Sequence, residues 1–204
     1  MPFEIEIIKF LQTHGNAFLT AFFKVISFIA YGNWCIFAAI LVLMLAFLLY
    51  KLHKKQKIKN ILWFILIFAV IYAVALLINT ALKFLIARPR PYKVDGSIID
   101  FDSAAYESMP SGHTISAVVL CCFVFEFFVL FLMKKHAHKV ILAAVLAVFI
   151  VSVVFSRMYL GQHYLTDTLV AILCGAGWSV LGITVHRKKV NNSPPDPEKD
   201  TESN

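Results

Sequence analysis

Charge is scarce in this sequence. Of 204 residues, 15% are charged and 60% hydrophobic, whereas an ordinary soluble domain carries about a quarter charged residues. With a mean hydropathy of +0.77, the chain cannot clothe itself as a water-facing globule, so a bilayer is its expected solvent. Cysteine is also sparse: Cys35, Cys121, Cys122 and Cys174 lie in apolar runs. They lack the spacing of a metal site or a secreted disulfide framework and read as small buried hydrophobes. Internal repeats are missing, as is any interior break in composition, so residues 1–190 are expected to form a single domain. A cleavable signal is not evident, because the opening FEIEIIKFLQ is acidic and amphipathic rather than basic and then apolar; the first spanning helix is expected to direct insertion. The stretch 191–204, rich in Pro, Asp, Glu and Ser, has nothing to bury and is expected to be a disordered cytoplasmic tail.

What is abundant is apolar sequence in runs of membrane length. A hydrocarbon core about 30 Å thick needs about 20 apolar residues of helix, with about 17 as the lower limit. Trp34–Tyr50, Ile61–Leu82, Thr114–Met133, Val140–Phe155 and Leu165–Val185 meet or approach that length, and the fourth can extend through the polar residues that follow it. Phe3–Leu11 has the pattern of an interfacial amphipathic helix. Ala17–Ala30 is short and carries Lys24 in its middle. The expected fold is therefore all-α, a polytopic bundle of five or six transmembrane helices with an N-terminal interfacial amphipathic helix.

Sidedness follows from the basic residues. Lys51, Lys54, Lys55, Lys57 and Lys59 follow one span, Lys134, Lys135 and Lys139 come two spans later, and Arg187, Lys188 and Lys189 two spans after that. All three clusters fall on one side, which the positive-inside rule makes cytoplasmic, together with the C-terminus. The opposite side nevertheless receives Lys83, Arg88, Arg90, Lys93 and Arg157. Topology disfavours cations there, and binding an anion is the simplest reason for them.

Three motifs stand on that opposite side. In KFLIARPRP, Lys83 and Arg90 can offer a point charge and a bidentate guanidinium to one phosphate, although snorkelling to headgroups, common at span ends, is the stronger reading of this motif when it is taken alone. In PSGH, Ser111 and Gly112 are placed at a helix N-terminus, whose free amides attract anions. Beside them His113 can protonate a departing oxygen near neutral pH, and a plain helix cap with an interfacial histidine is the competing reading. In SRMYLGQHYLTD, His163 and Asp167 are four residues apart and share a helical face. Such a carboxylate can fix the imidazole tautomer and leave the other nitrogen free to attack, while a dipole-favoured Asp167 beside an unrelated histidine is the alternative. Convergence of the three motifs on adjacent connections favours a phosphoryl-transfer site.

These residues complete the signature of the type 2 phosphatidic acid phosphatase family, which the chain resembles over roughly 61–185: Lys83, Arg90 and Pro91; Pro110, Ser111, Gly112 and His113; Ser156, Arg157, His163 and Asp167. The resemblance implies hydrolysis of a lipid phosphate or diphosphate at the outer face of a bacterial plasma membrane. Phosphatidylglycerophosphate, undecaprenyl pyrophosphate and phosphatidic acid are the substrates to consider. It implies His163 as nucleophile forming a phosphohistidine, Asp167 orienting it, His113 as acid, and Lys83, Arg90, Ser111, Gly112 and Arg157 as phosphate ligands. No metal and no cofactor are implied. Membrane lipids are the expected surroundings and a lipid phosphate the expected partner, nucleic acid is not, and the sequence does not set the oligomeric state. Arg88, outside the signature, is expected to touch substrate or headgroup. The 92–109 connection is expected to cover the site, and Glu126 to find a partner inside the bundle at its cytoplasmic end. Two other classes remain open on sequence: a lipid phosphotransferase, which passes the group to a hydroxyl instead of water, and a non-enzymatic headgroup transporter or binding protein.

Overall fold

The computed structural model describes residues 2–31, 47, 58–103 and 106–191. Among them the chain is all helical: α1 Pro2–Thr13, α2 Ala17–Ala30, α3 Ile58–Ile86, the single turn α4 Pro91–Val94, α5 Gly112–Phe131, α6 His136–Tyr159 and α7 Leu165–Asn191. Helices α3, α5, α6 and α7 are long and apolar enough to cross a membrane, so the chain is a multi-pass membrane protein. The expected span at 34–50 and the tail beyond 191 lie outside the described residues. Helix α2, at 14 residues, is about 21 Å long, too short to cross the hydrocarbon core upright.

Local chemistry sets the helix ends. Asn16 caps α2, its Oδ1 accepting from the Leu19 amide at 2.8 Å, and Ser111 caps α5, each satisfying an amide that has no partner within its helix. Helix α3 stops where Ala87 turns to a φ of 48° and donates to the Lys83 carbonyl at 3.0 Å, just before Arg88 and Pro89, where the proline ring disfavours helical backbone in the preceding residue. Helix α6 extends past Phe155 through the polar residues, as the sequence allowed, and its last turn contains Ser156 and Arg157. Gly161 then reverses the chain at a φ of 75°, and a Cβ there would lie 2.6 Å from the Ile99 carbonyl oxygen, so only glycine fits the turn.

The alternating helices bring the 86–112 and 159–165 connections to one end of the bundle and the two described basic clusters, Lys134, Lys135 and Lys139 and Arg187, Lys188 and Lys189, to the other. At the basic end Phe64, Phe68, Phe123 and Phe127 form an aromatic core, with ring centroids 4.8 to 5.7 Å apart. Gly182 lets α7 close on α5, since a Cβ there would come within 2.5 Å of the Phe123 ring, the small-residue contact typical of membrane helices. At this end Glu126 meets Arg187 in a two-pronged pair, 2.7 Å from Nε to Oε1 and 2.9 Å from Nη2 to Oε2, which is the partner the sequence required. Because the Arg187 side chain is 58% exposed, the pair is worth less than a fully desolvated one. Glu126→Gln is expected to destabilise the fold by about 1–2 kcal/mol, read as a lower thermal midpoint in detergent; an unchanged midpoint would show the pair to be idle.

Candidate active site

The opposite end of the bundle encloses a cavity of about 990 Å³. Helix α3 lines it with Lys83, the 86–112 connection with Arg90, Asp102 and Tyr106, α5 with Gly112 and His113, α6 with Arg157, and the turn before α7 with His163. Six of the eight residues singled out from the sequence therefore face one space. The other two stand beside it. Ser111 is fully buried, its hydroxyl oxygen accepting from the Thr114 hydroxyl at 3.0 Å, and Asp167 lies behind His163, also fully buried.

Carbonyls of the connecting loop hold the cations in place. Lys83 Nζ donates to the carbonyls of Glu107 at 2.7 Å and Ser108 at 3.2 Å. Arg90 donates from Nε to the Tyr106 carbonyl at 2.6 Å and from Nη1 to the Gln162 carbonyl at 2.9 Å. These contacts occupy neutral oxygens, so neither side chain is paired with a carboxylate through them. Arg157 differs: it donates to Ser27 of α2 and to the Asp102 carboxylate, the latter at 2.6 Å. The described residues of the 92–109 segment thus line the cavity and support these cations through the carbonyls of Tyr106, Glu107 and Ser108 and the carboxylate of Asp102. The segment is also fastened from outside, since Gln12 of α1 exchanges hydrogen bonds of 2.9 Å with both polar backbone groups of Ile99.

The expected orienting bond from Asp167 to His163 is not closed. Nδ1 of His163 stands 3.7 Å from Oδ2 of Asp167, beyond hydrogen-bond length, and it has no hydrogen-bond partner among the described residues. The Asp167 carboxylate is engaged elsewhere, by the Ser108 hydroxyl, by the Tyr164 amide at 2.9 Å and by Arg88 Nη1 at 2.5 Å. The Tyr164 contact is a capping interaction: Asp167, in the first turn of α7, reaches back over the helix N-terminus. A shift of about 0.7 Å would bring Nδ1 and Oδ2 within bonding reach, and active-site contacts of this kind commonly tighten when substrate binds.

Arg88 corrects another expectation. It does not face the cavity but bridges two carboxylates, Asp167 on α7 and Glu4 on α1, with Nη2 donating to Glu4 Oε2 at 2.8 Å. Its guanidinium lies 3.9 Å over the Tyr164 ring. Glu4 also accepts from the Thr166 amide at 2.9 Å and from its hydroxyl at 2.7 Å. Burial by itself would raise the Glu4 carboxyl, but the Thr166 donors and Arg88 outweigh it and hold the group below its usual range. Sequence reasoning missed Glu4, Ser108, Asp102 and Gln162; Glu4 shares its helix with Glu6 and Lys9, so nothing in the sequence singled it out.

His163 is almost fully buried in this cationic setting. Burial first, then the positive charges of Arg157, Arg90 and Lys83, push its imidazole well below the usual histidine range, against a smaller opposing contact with the Ser108 backbone. The ring is therefore neutral at neutral pH and becomes charged only well below pH 6.5, which keeps a lone pair available for attack. An imidazole nitrogen NMR titration, with the His163 signal assigned by its loss in His163→Gln, should show a neutral ring from about pH 8 down past about pH 6.5. A midpoint at or above that value would refute this account.

Comparison with known proteins bears on this geometry. Over 110 residues the chain is 33% identical to phosphatidylglycerophosphatase B of Bacillus subtilis (strain 168), an alignment that covers 52% of this chain and 50% of the relative; it thus spans about half the length of that curated relative. The fold matches the crystal structure of a transmembrane PAP2-type phosphatidylglycerolphosphate phosphatase from Bacillus subtilis with a TM-score of 0.74 and 23% identity, over 91% of this chain and 85% of the other. It also matches Aquifex aeolicus LpxE with a TM-score of 0.61 and 18% identity, over 88% and 93%. At these identities the structural likeness speaks for the fold. The PAP2 superfamily model matches residues 64–191, a stretch that holds every residue of the three motifs, and the chain belongs to that superfamily.

Proposed function

We propose that this protein is a membrane phosphatase that hydrolyses a lipid phosphate or diphosphate through a phosphohistidine on His163. The observation that carries the reading is the gathering of Lys83, Arg90 and Arg157 with His113 and His163 around one cavity at one end of a membrane helix bundle. A neutral His163 attacks phosphorus, an N–P bond forms, and the P–O bond to the lipid breaks as His113 delivers a proton to the departing oxygen. Water then attacks the phosphohistidine, His113 takes up its proton, and inorganic phosphate leaves with His163 restored. Lys83, Arg90, Arg157 and the Gly112 amide at the start of α5 stabilise the charge that grows on the non-bridging oxygens. Ser111 shapes that helix terminus, and Asp167 steadies the imidazolium side of the step. Three side-chain cations on one phosphoryl group supply the electrostatic stabilisation without a metal ion.

The basic clusters of 134–139 and 187–189 at the far end support an outer-face site in a bacterial plasma membrane, with the C-terminus in the cytoplasm. Phosphatidylglycerophosphate, phosphatidic acid and undecaprenyl pyrophosphate are the lipids to test, using detergent-purified protein in EDTA and measuring phosphate release. Release that persists in EDTA supports the reading, whereas no release from any of the three would sink it.

A further inference from the structure

We infer that Ser108 is a positioning residue for phosphoryl transfer: its hydroxyl sets the Asp167 carboxylate against His163, while its backbone supports Lys83. The inference rests on the phosphatase reading above and adds a residue to its machinery. Ser108 stands two positions before Pro110, outside the three motifs, and is fully buried. Its amide donates to the Arg88 carbonyl at 2.8 Å, and its own carbonyl accepts from Lys83 Nζ at 3.2 Å. Its backbone also touches the His163 ring, and its hydroxyl donates to Asp167 Oδ2. One residue thus meets a phosphate cation, the nucleophile and the carboxylate behind it.

The two oxygens of Asp167 are divided between different holders. Oδ1 accepts from Arg88 Nη1 at 2.5 Å. Oδ2 accepts from the Tyr164 amide at 2.9 Å and from the Ser108 hydroxyl, and it is Oδ2 that faces His163 Nδ1 across 3.7 Å. The Gln162 carbonyl lies 3.4 Å from the same hydroxyl but is neutral and farther away, so the carboxylate is the stronger acceptor. Arg88 by itself would draw the carboxylate's charge to its own side; Ser108 holds the oxygen that must meet the imidazole. A carboxylate stabilises the positive charge developing on an attacking histidine only while it keeps its place beside the ring. Removing the Ser108 hydroxyl leaves the backbone intact, so the support of Lys83 and the binding of phosphate should survive the loss of the orienting bond. Binding and chemistry are therefore separable at this residue.

The test measures kcat on a cleaved lipid and the inhibition constant of inorganic phosphate in three variants. Ser108→Ala removes the hydroxyl, Ser108→Cys fills the space with a weak donor, and Ser108→Thr keeps a hydroxyl. In the Ala and Cys variants kcat is expected to fall about tenfold to a hundredfold, with phosphate inhibition within about twofold of the unaltered protein. Ser108→Thr should recover most of the loss. In an Asp167→Asn background Ser108→Ala should cost little more, because groups that act as a unit are not additive. A Cys variant as active as the unaltered protein would show that Ser108 only fills space. Weakening of phosphate inhibition in step with kcat would show a collapsed site, and full additivity with Asp167→Asn would show that Ser108 acts elsewhere. Each of these overturns the positioning role and leaves the phosphatase reading standing. Failure of the unaltered protein to release phosphate from any lipid overturns the phosphatase reading itself, and the role of Ser108 with it.

Discussion

His163→Ala is expected to lower kcat by about 10⁴-fold or more while leaving the folded protein intact. The size of the loss follows from the proposed chemistry: without the imidazole no N–P bond can form, and cations that still bind phosphate cannot supply a nucleophile. The fold should survive because His163 Nδ1 has no hydrogen-bond partner among the described residues, the ring's contact with the Ser108 backbone is a single one, and the ring borders an existing cavity. The assay is phosphate release from whichever lipid the unaltered protein cleaves, with the thermal midpoint in detergent as the control for folding. A folded variant that keeps more than about one per cent of wild-type turnover would exclude His163 as nucleophile, since a loss of only about two decades falls well short of what removing a nucleophile costs. The phosphohistidine route would then fail even if the protein remained a phosphatase.

Much of this site was legible because its residues come in three short motifs. Local rules place each one: Lys83 near the end of a long apolar helix, Ser111 as a cap, and His163 and Asp167 around the start of another helix. The positive-inside rule put all of them at one end, and helix order did the rest. What local rules could not reach were contacts between distant parts of the chain. Glu4 and Thr166 are separated by 162 positions, and no periodicity predicts that α1 will lie across the first turn of α7. Arg88 was misread for the same reason, because a cation two residues before Arg90 reads as another headgroup ligand until its two carboxylates are located. The extension of α6 beyond its apolar run, which the sequence left open, has a physical reason: Arg157 interrupts the run, yet it is buried between Ser27 and Asp102. A buried charge with partners continues a helix that composition alone would stop.

Arg88→Ala should be the most destabilising change at this end of the bundle, by about 3–5 kcal/mol. Its side chain is only 10% exposed and joins carboxylates that are 11% exposed at Glu4 and 0% at Asp167. Truncation strands both anions in a dry site, and stranded partners make a broken buried pair expensive. Part of the loss reaches function, since Asp167 loses one of the donors that fix it beside His163, and kcat is expected to fall even where the variant remains folded. The pH dependence separates charge from packing. The Glu4 carboxyl is held below its usual range in the folded protein, so its contribution is fully present above the ordinary glutamate pKa and is lost as pH falls through the lowered value. Protonated Glu4 no longer needs Arg88. The gap in thermal midpoint between the unaltered protein and Arg88→Ala should therefore narrow as pH is taken from neutrality to about 4 and below. A gap that stays constant over that range would assign the loss to the guanidinium's stacking on Tyr164 and remove the α1 carboxylate from the account of how Asp167 is held.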